Sequence, residues 1–194
     1  MSEDKVIDLQ HYQLKNWQEK YDALVDYCRE NMSVQTRVHE AVLRLIKAKD
    51  LEQLLEIISV DFLSIFDLDV VRLAMESEIA FDTSYGEQDY SGFVFIPVGT
   101  TEAIFGTQKN VVLIGDCISN PPSSFEYIFA DCNKQIASCS LLRLETKATG
   151  KHIILSLGVR HKERFHVRNG AEPLHFLAKI VSNQLDKYLD DLIL

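Results

Sequence analysis

Apolar or bulky residues recur at alternating spacings of three and four near the start of the chain: Ile7, Leu14, Trp17, Tyr21, Leu24 and Cys28, and after a gap Val38, Val42 and Leu45. On a heptad they occupy the a and d positions, with Gln10, Asn31 and Gln35 as polar exceptions. A period of 3.5 kept over about five heptads predicts a left-handed helical pairing rather than a lone amphipathic helix. The expected seam runs through Leu14, Trp17, Tyr21, Leu24, Cys28, Asn31, Gln35 and Val38 and joins two copies of the chain. Asn31 and Gln35 fall at consecutive d and a positions, where a polar residue costs stability but fixes register and partner number. The competing arrangement is a helix that bends near Asn31, Met32 and Ser33 and packs its first half on its own domain.

Asp50 predicts the N-cap of a second helix, since Leu51, Leu54, Leu55, Ile58, Phe62 and Ile65 follow it at helical spacing. Val42, Leu45 and Ile46 are expected to give the end of the long helix a face toward the same core. The pattern then changes to period two or to short apolar runs at residues 69–75, 92–98, 110–114, 136–144 and 152–158, five candidate strands. Residues 100–106 and 122–132 read as short helical or irregular pieces, and 85–91 as a glycine-containing loop. The runs at 136–144 and 152–158 read as a hairpin, and an apolar-periodic segment from Pro173 to Leu194 as a closing helix. These elements divide the chain into an N-terminal helix, 1–48, and an α+β domain, 49–194, built on an antiparallel sheet of five to six strands flanked by helices.

A net charge of −9 with no Lys/Arg cluster offers no electrostatic footprint for a phosphate backbone, so no nucleic-acid partner is expected. No run approaches the roughly 20 apolar residues that a bilayer span needs, and the opening residues lack a basic-then-apolar secretory order. A cytoplasmic protein is expected. Cys28, Cys117, Cys132 and Cys139 contain no C-x-x-C pair and read as buried, reduced thiols. His161, His166 and His175 match no metal-ligand spacing. No P-loop, G-x-S-x-G, G-x-G-x-x-G or H-E-x-x-H pattern is present. The expectation is therefore a binding protein, with no catalytic residue, metal or cofactor.

The candidate ligand-binding residues are Arg160, Arg72, Arg143, Asp116 and His166. Arg72 and Arg143 lie inside predicted strands and Arg160 at the end of one, and an arginine in a half-buried sheet needs a partner. That partner is a bound anion, a carboxylate of the chain, or solvent at an edge. Asp116 follows a strand, where it could face a pocket mouth or cap a turn, and His166 could bind a ligand or brace the final helix. Gly158 reads as a position of special backbone shape or of close packing, and Phe165 as a plug at the bottom of the core.

In chain order, Val6-Ile7-Asp8-Leu9-Gln10, Val38-His39-Glu40-Ala41-Val42, Asp69-Val70-Val71-Arg72-Leu73 and Ile96-Pro97-Val98-Gly99-Thr100 are followed by Leu157-Gly158-Val159-Arg160 with Phe165, His166, Gly170 and Glu172. Together they resemble the bacterial GAF-like family called domain of unknown function 484. The resemblance implies a GAF-like fold behind an N-terminal helix, and no assigned activity. The chain departs from the family pattern at Val159, at residues 135–138 and at Val167. The resulting expectation is a sensory or regulatory domain, homodimeric through its first helix, that binds a small molecule in a sheet-side cavity or binds an output protein. Its alternative is a structural interaction scaffold without a ligand, and a third possibility is an enzyme using the same cavity.

Overall fold

The computed structural model describes residues 3–77, 93–122, 124–129, 135–147, 152–162, 164–165 and 170–193. The chain divides into two compact units, Met1–Thr36 and Arg37–Leu194, so the division falls earlier than the end of the first helix. That helix, α1, is continuous over Glu3–Lys47, with no break at residues 31–33. Within the first unit Leu14, Trp17, Tyr21 and Leu24 stay 59–71% exposed. Within the second unit the last turns of α1 and the residue after it bury Val38, Ala41, Leu45 and Ala48. Val38, the last residue of the expected seam, is thus buried in the second unit instead. A straight helix turns every 3.6 residues, so a face spaced at 3.5 drifts around it, and the inward face here passes through Ala41 and Ala48. Ile46, an expected companion, is 57% exposed.

Asp50 caps the next helix as the sequence predicts: its Oδ1 accepts from the Gln53 N–H at 2.8 Å, and Gln53 Oε1 accepts in return from the Lys49 N–H at 2.9 Å. Helix α2 (Leu51–Glu56) runs through a π-helical turn (Ile57–Asp61) into α3 (Phe62–Phe66). The wider turn rephases the apolar stripe, and Leu54, Ile58, Phe62, Ile65 and Phe66 are all buried. Asp67, in the left-handed region at φ 54°, ends α3 and turns the chain into the sheet.

Five strands follow: β1 (Val70–Ser77), β2 (Phe93–Pro97), β3 (Val111–Ile114), β4 (Ser138–Glu145) and β5 (His152–Val159). Their order is β2-β1-β5-β4-β3. The β4–β5 hairpin, the β1–β5 pair and the β3–β4 pair are antiparallel, whereas β2 runs parallel to β1. The sheet is thus mixed, not antiparallel throughout. A parallel neighbour needs a connection of about a dozen residues or more, and the 78–92 interval supplies that length; those residues, with the loop expected at 85–91, lie outside the described ones. Short helices α4 (Thr100–Phe105) and α5 (Phe125–Ile128) interrupt the strands, and α6 (Glu172–Ile193) closes the fold.

Alternate strand residues point to opposite faces. Val70, Ala74, Ile154, Cys139 and Leu141 meet Phe105 of α4 and Phe125 and Ile128 of α5 in one buried cluster. On the opposite face β4 lies against α6, which buries Leu174, Leu177, Val181 and Leu185.

At Gly158 the layers pack closely. A β-carbon built there would lie 2.7 Å from Val70 Cγ1 and 3.2 Å from both Ile136 and Phe129, while the Gly158 carbonyl accepts from the Asp69 N–H at 3.1 Å. Of the two roles open for this position, space requires the glycine and backbone shape does not. Phe165, by contrast, is only part-buried and does not plug the core. Gly158→Ala should lower stability by ~1–3 kcal/mol through overpacking, with a thermal midpoint drop of about 2–4 °C per kcal/mol. Thermal unfolding followed by circular dichroism checks this, and an unchanged midpoint would mean that the neighbours move aside freely.

Candidate functional site

The segment leaving β5 ties down four other parts of the second unit. The Arg160 N–H donates to Asp69 Oδ2 at 2.7 Å, and Arg160 Nε lies 3.6 Å from Asp69 Oδ1, at the entrance to β1. The His161 carbonyl accepts from the Ser138 hydroxyl at 2.7 Å, where β4 begins. Lys162 Nζ donates to Asp116 Oδ2 at 2.8 Å, in the turn after β3. Arg164 Nη2 donates to the Phe66 carbonyl at 3.3 Å, where α3 ends. A single short loop therefore joins segments far apart in sequence; Asp69 and Arg160 are separated by 91 positions.

Asp116 is the anchor of its own turn as well. Its Oδ1 accepts from the Ile118 and Ser119 N–H groups at 3.1 and 3.0 Å, and Oδ2 accepts from the Ser119 hydroxyl at 2.9 Å. Lys162 first, and then the Ser119 donors, hold its carboxyl below the usual aspartate range. Of the alternatives open in the sequence, Asp116 takes the turn-capping role, and Arg160 takes a carboxylate of its own chain.

Arg72 and Arg160 line one groove of about 150 Å³ together with Ser59, Leu63 and Asp69. That space would hold roughly five waters at ~30 Å³ each, enough for a small anion. Arg72 donates from Nη1 to the Val71 carbonyl at 3.2 Å and has no ion pair among the described residues. Arg143 lies elsewhere. Its guanidinium sits 5.2 Å over the Phe105 ring and donates to the Gly106 carbonyl at 2.8 Å. It borders a larger groove of about 640 Å³ along α6, with Lys147, His152, His175, Lys179 and Asp186. The structure thus brings together two of the five candidate residues; His166 lies outside the described ones.

The layer beneath α4 and α5, where a sheet-side cavity was expected, holds among the described residues the buried cluster around Phe105, Phe125, Ile128 and Phe129. Within it the Thr101 N–H donates to buried Glu76 at 2.6 Å, and Thr101 Oγ1 and Ser156 Oγ are buried with no partner among the described residues. Cys117 and Cys139 are buried free thiols, but Cys28 is exposed, contrary to the expectation of uniform burial, and Cys132 lies outside the described residues. Among the described residues no group of three His, Cys, Asp or Glu side chains could hold a metal ion, and no helix is long and apolar enough to cross a membrane.

Sequence reasoning missed Asp69 and Ser138 as partners of the loop, and Lys162 as the loop residue that pairs with Asp116. Asp69 and Ser138 are ordinary polar residues at strand entrances, and only the register of the sheet makes them neighbours of residues 160 and 161.

The mixed sheet, with helices on both faces and a long helix before it, is a GAF-like α+β fold. Within that class the chain belongs to the DUF484 family of proteins of unknown function, whose family model matches residues 4–190. The X-ray structure of free methionine-R-sulfoxide reductase from Neisseria meningitidis, in complex with its substrate, resembles it with a TM-score of 0.53 at 16% identity, covering 81% of this chain and 89% of that one. At that identity the likeness is one of fold. No curated protein matches the chain.

The depressed carboxyl of Asp116 sets the sign of a pH effect. Its folded value lies below the unfolded one, so its stabilising contribution is present above about pH 4 and is lost as the pH falls toward the folded value. Asp116→Asn should therefore be less stable than the parent at pH 6, with the difference shrinking below pH ~4. Urea midpoints at several pH values test this, and a difference independent of pH would remove the ionic role.

Proposed function

We propose that the protein is a homodimeric regulatory module, in which the exposed face of α1 mates with the same face of a second copy and the GAF-like unit binds a small anionic molecule. The observation that carries this reading is the exposure of Leu14, Trp17, Tyr21 and Leu24 at a and d positions of one helix. Helices draw most of their stability from a packed apolar face, and a large exposed apolar patch marks an interaction surface. Heptad spacing favours a second copy as the partner, because like seams interdigitate knob into hole. In a parallel, in-register pair the exposed Cys28 meets its own counterpart at an a position.

The ligand half of the proposal is supported by the small groove in which Arg72 has no ion pair among the described residues and Arg160 shares Asp69. A bound carboxylate or phosphate would supply the missing charge at Arg72. Ligand binding would then act as a population shift, favouring the form of the unit that holds the anion, and an output protein would read the result. A second reading, a scaffold with no ligand, is favoured by the buried apolar cluster of described residues beneath α4 and α5.

Light scattering coupled to size exclusion should give the full chain twice its 22.2 kDa mass, and Leu14→Asp with Trp17→Asp should give one chain's mass with the thermal transition of the GAF-like unit retained. A double variant that remains dimeric would remove α1 from the interface. Mild oxidation should also link two chains through Cys28 in the dimer. Native mass spectrometry of the purified protein tests the ligand half: a retained small anion lost in Arg72→Ala supports sensing, and a bare protein that inorganic phosphate does not stabilise supports the scaffold.

A further inference from the structure

Cys139 sits on β4, fully buried, paired in register with Gly158 on β5. Cys117 is the first residue of the turn that follows Asp116, and its N–H donates to the Ala137 carbonyl at 2.8 Å, which holds that turn against the entrance to β4. The two sulfurs are consequently 3.4 Å apart, in a contact between side chains 22 positions distant in sequence. A disulfide bond is about 2.05 Å long, so closing it requires a movement on the order of 1.4 Å, well within the reach of side-chain rotation together with a small shift of the turn. Both thiols belong to one buried cluster with Phe129 and Ile136, and Cys117 is followed in its turn by the exposed Ile118 and Ser119.

We propose that Cys117 and Cys139 form a hydroperoxide-responsive dithiol site that closes to an intramolecular disulfide. In the first step the Cys117 thiolate attacks the outer oxygen of a hydroperoxide. An S–O bond forms, the O–O bond breaks, and the alcohol leaves after taking up a proton. In the second step the Cys139 sulfur attacks the Cys117 sulfenic acid; the S–S bond forms, the S–O bond breaks, and water leaves with the Cys139 proton. The pair gives up two electrons, and one hydroperoxide becomes one alcohol and one water.

Both thiols are buried, but Cys117 belongs to a turn whose next residues, Ile118 and Ser119, are exposed, so the proposal places entry of the oxidant on that side. The contact between the two sulfurs holds the Cys117 thiol below its usual value, against burial and the Asp116 charge, while that contact and burial push the Cys139 thiol up. The proposal accordingly takes Cys117, the sulfur carried by the turn, as the attacking one and Cys139 as the resolving one. The resulting bond would fix the turn carrying Asp116 to β4 and so act directly on the Lys162 tether.

The test uses the full wild-type chain, which avoids any dependence on variants of buried residues. Reduced protein is treated with hydrogen peroxide, free thiols are alkylated, and the chain is digested and mapped by mass spectrometry without reduction. The expected result is a cross-linked peptide pair joining Cys117 to Cys139, lighter by two hydrogens and resistant to alkylation until reduced. In Cys139→Ala the expected product is a dimedone adduct at Cys117. Oxidation that links Cys117 or Cys139 to Cys132, or that modifies Cys28 while leaving both core thiols open to alkylation, would overturn the proposal. So would a link that forms with diamide and not with peroxide.

Discussion

The second unit depends on the close approach at Gly158, where β5 passes Val70, Ile136 and Phe129 with no room for a methyl group. Because the strand runs so close to its neighbours there, the next residues emerge between the entrance to β1, the entrance to β4 and the turn after β3. Arg160, His161 and Lys162 each find a partner on one of these, and Arg164 reaches the end of α3. The individual contacts are modest. Exposed ion pairs contribute up to about 1 kcal/mol, and Arg160 is 59% exposed in its pairing with Asp69. Their effect lies in joining segments that the sheet ladder alone leaves at the ends of strands.

This arrangement accounts for the character of the most recognisable stretch of the chain, Leu157-Gly158-Val159-Arg160 and its charged continuation. Its glycine and most of its polar contacts serve the fold. A resemblance carried there identifies an architecture, and an activity must be sought in the groove that Arg160 shares with Arg72, on the exposed face of α1, and at the thiol pair beneath the Asp116 turn. The last two stand at opposite extremes of environment: Cys28 is exposed, and Cys117 and Cys139 are buried.

The architecture was legible because its signals are periodic. The five strands and the flanking helices lie close to where the apolar pattern places them, and Asp50 caps the helix that it precedes. The parallel pairing of β2 was not legible, since alternation along a strand reports burial and says nothing about direction. The π turn at Ile57–Asp61 was equally hidden, because a stripe that slips by one residue still reads as helical. At Val38 the heptad and the core of the second unit compete for one side chain, and the core holds it. For the site, sequence flagged Arg72, Arg160 and Asp116 as polar residues that need partners, but Asp69 and Ser138 become partners only through strand register. The packing at Cys117 and Cys139 is long-range for the same reason.

The central claim is that residues 160–164 join the strand ends into one cooperative piece, and native-state hydrogen exchange tests it most directly. The Arg160, Ile118 and Ser119 amides all donate to aspartates tied to that loop, and local opening exposes such amides unit by unit. In Asp69→Asn the account predicts that protection falls together at all three amides, although Ile118 and Ser119 contact Asp116 and not Asp69. Faster exchange at Arg160 alone, with Ile118 and Ser119 unchanged, would contradict it.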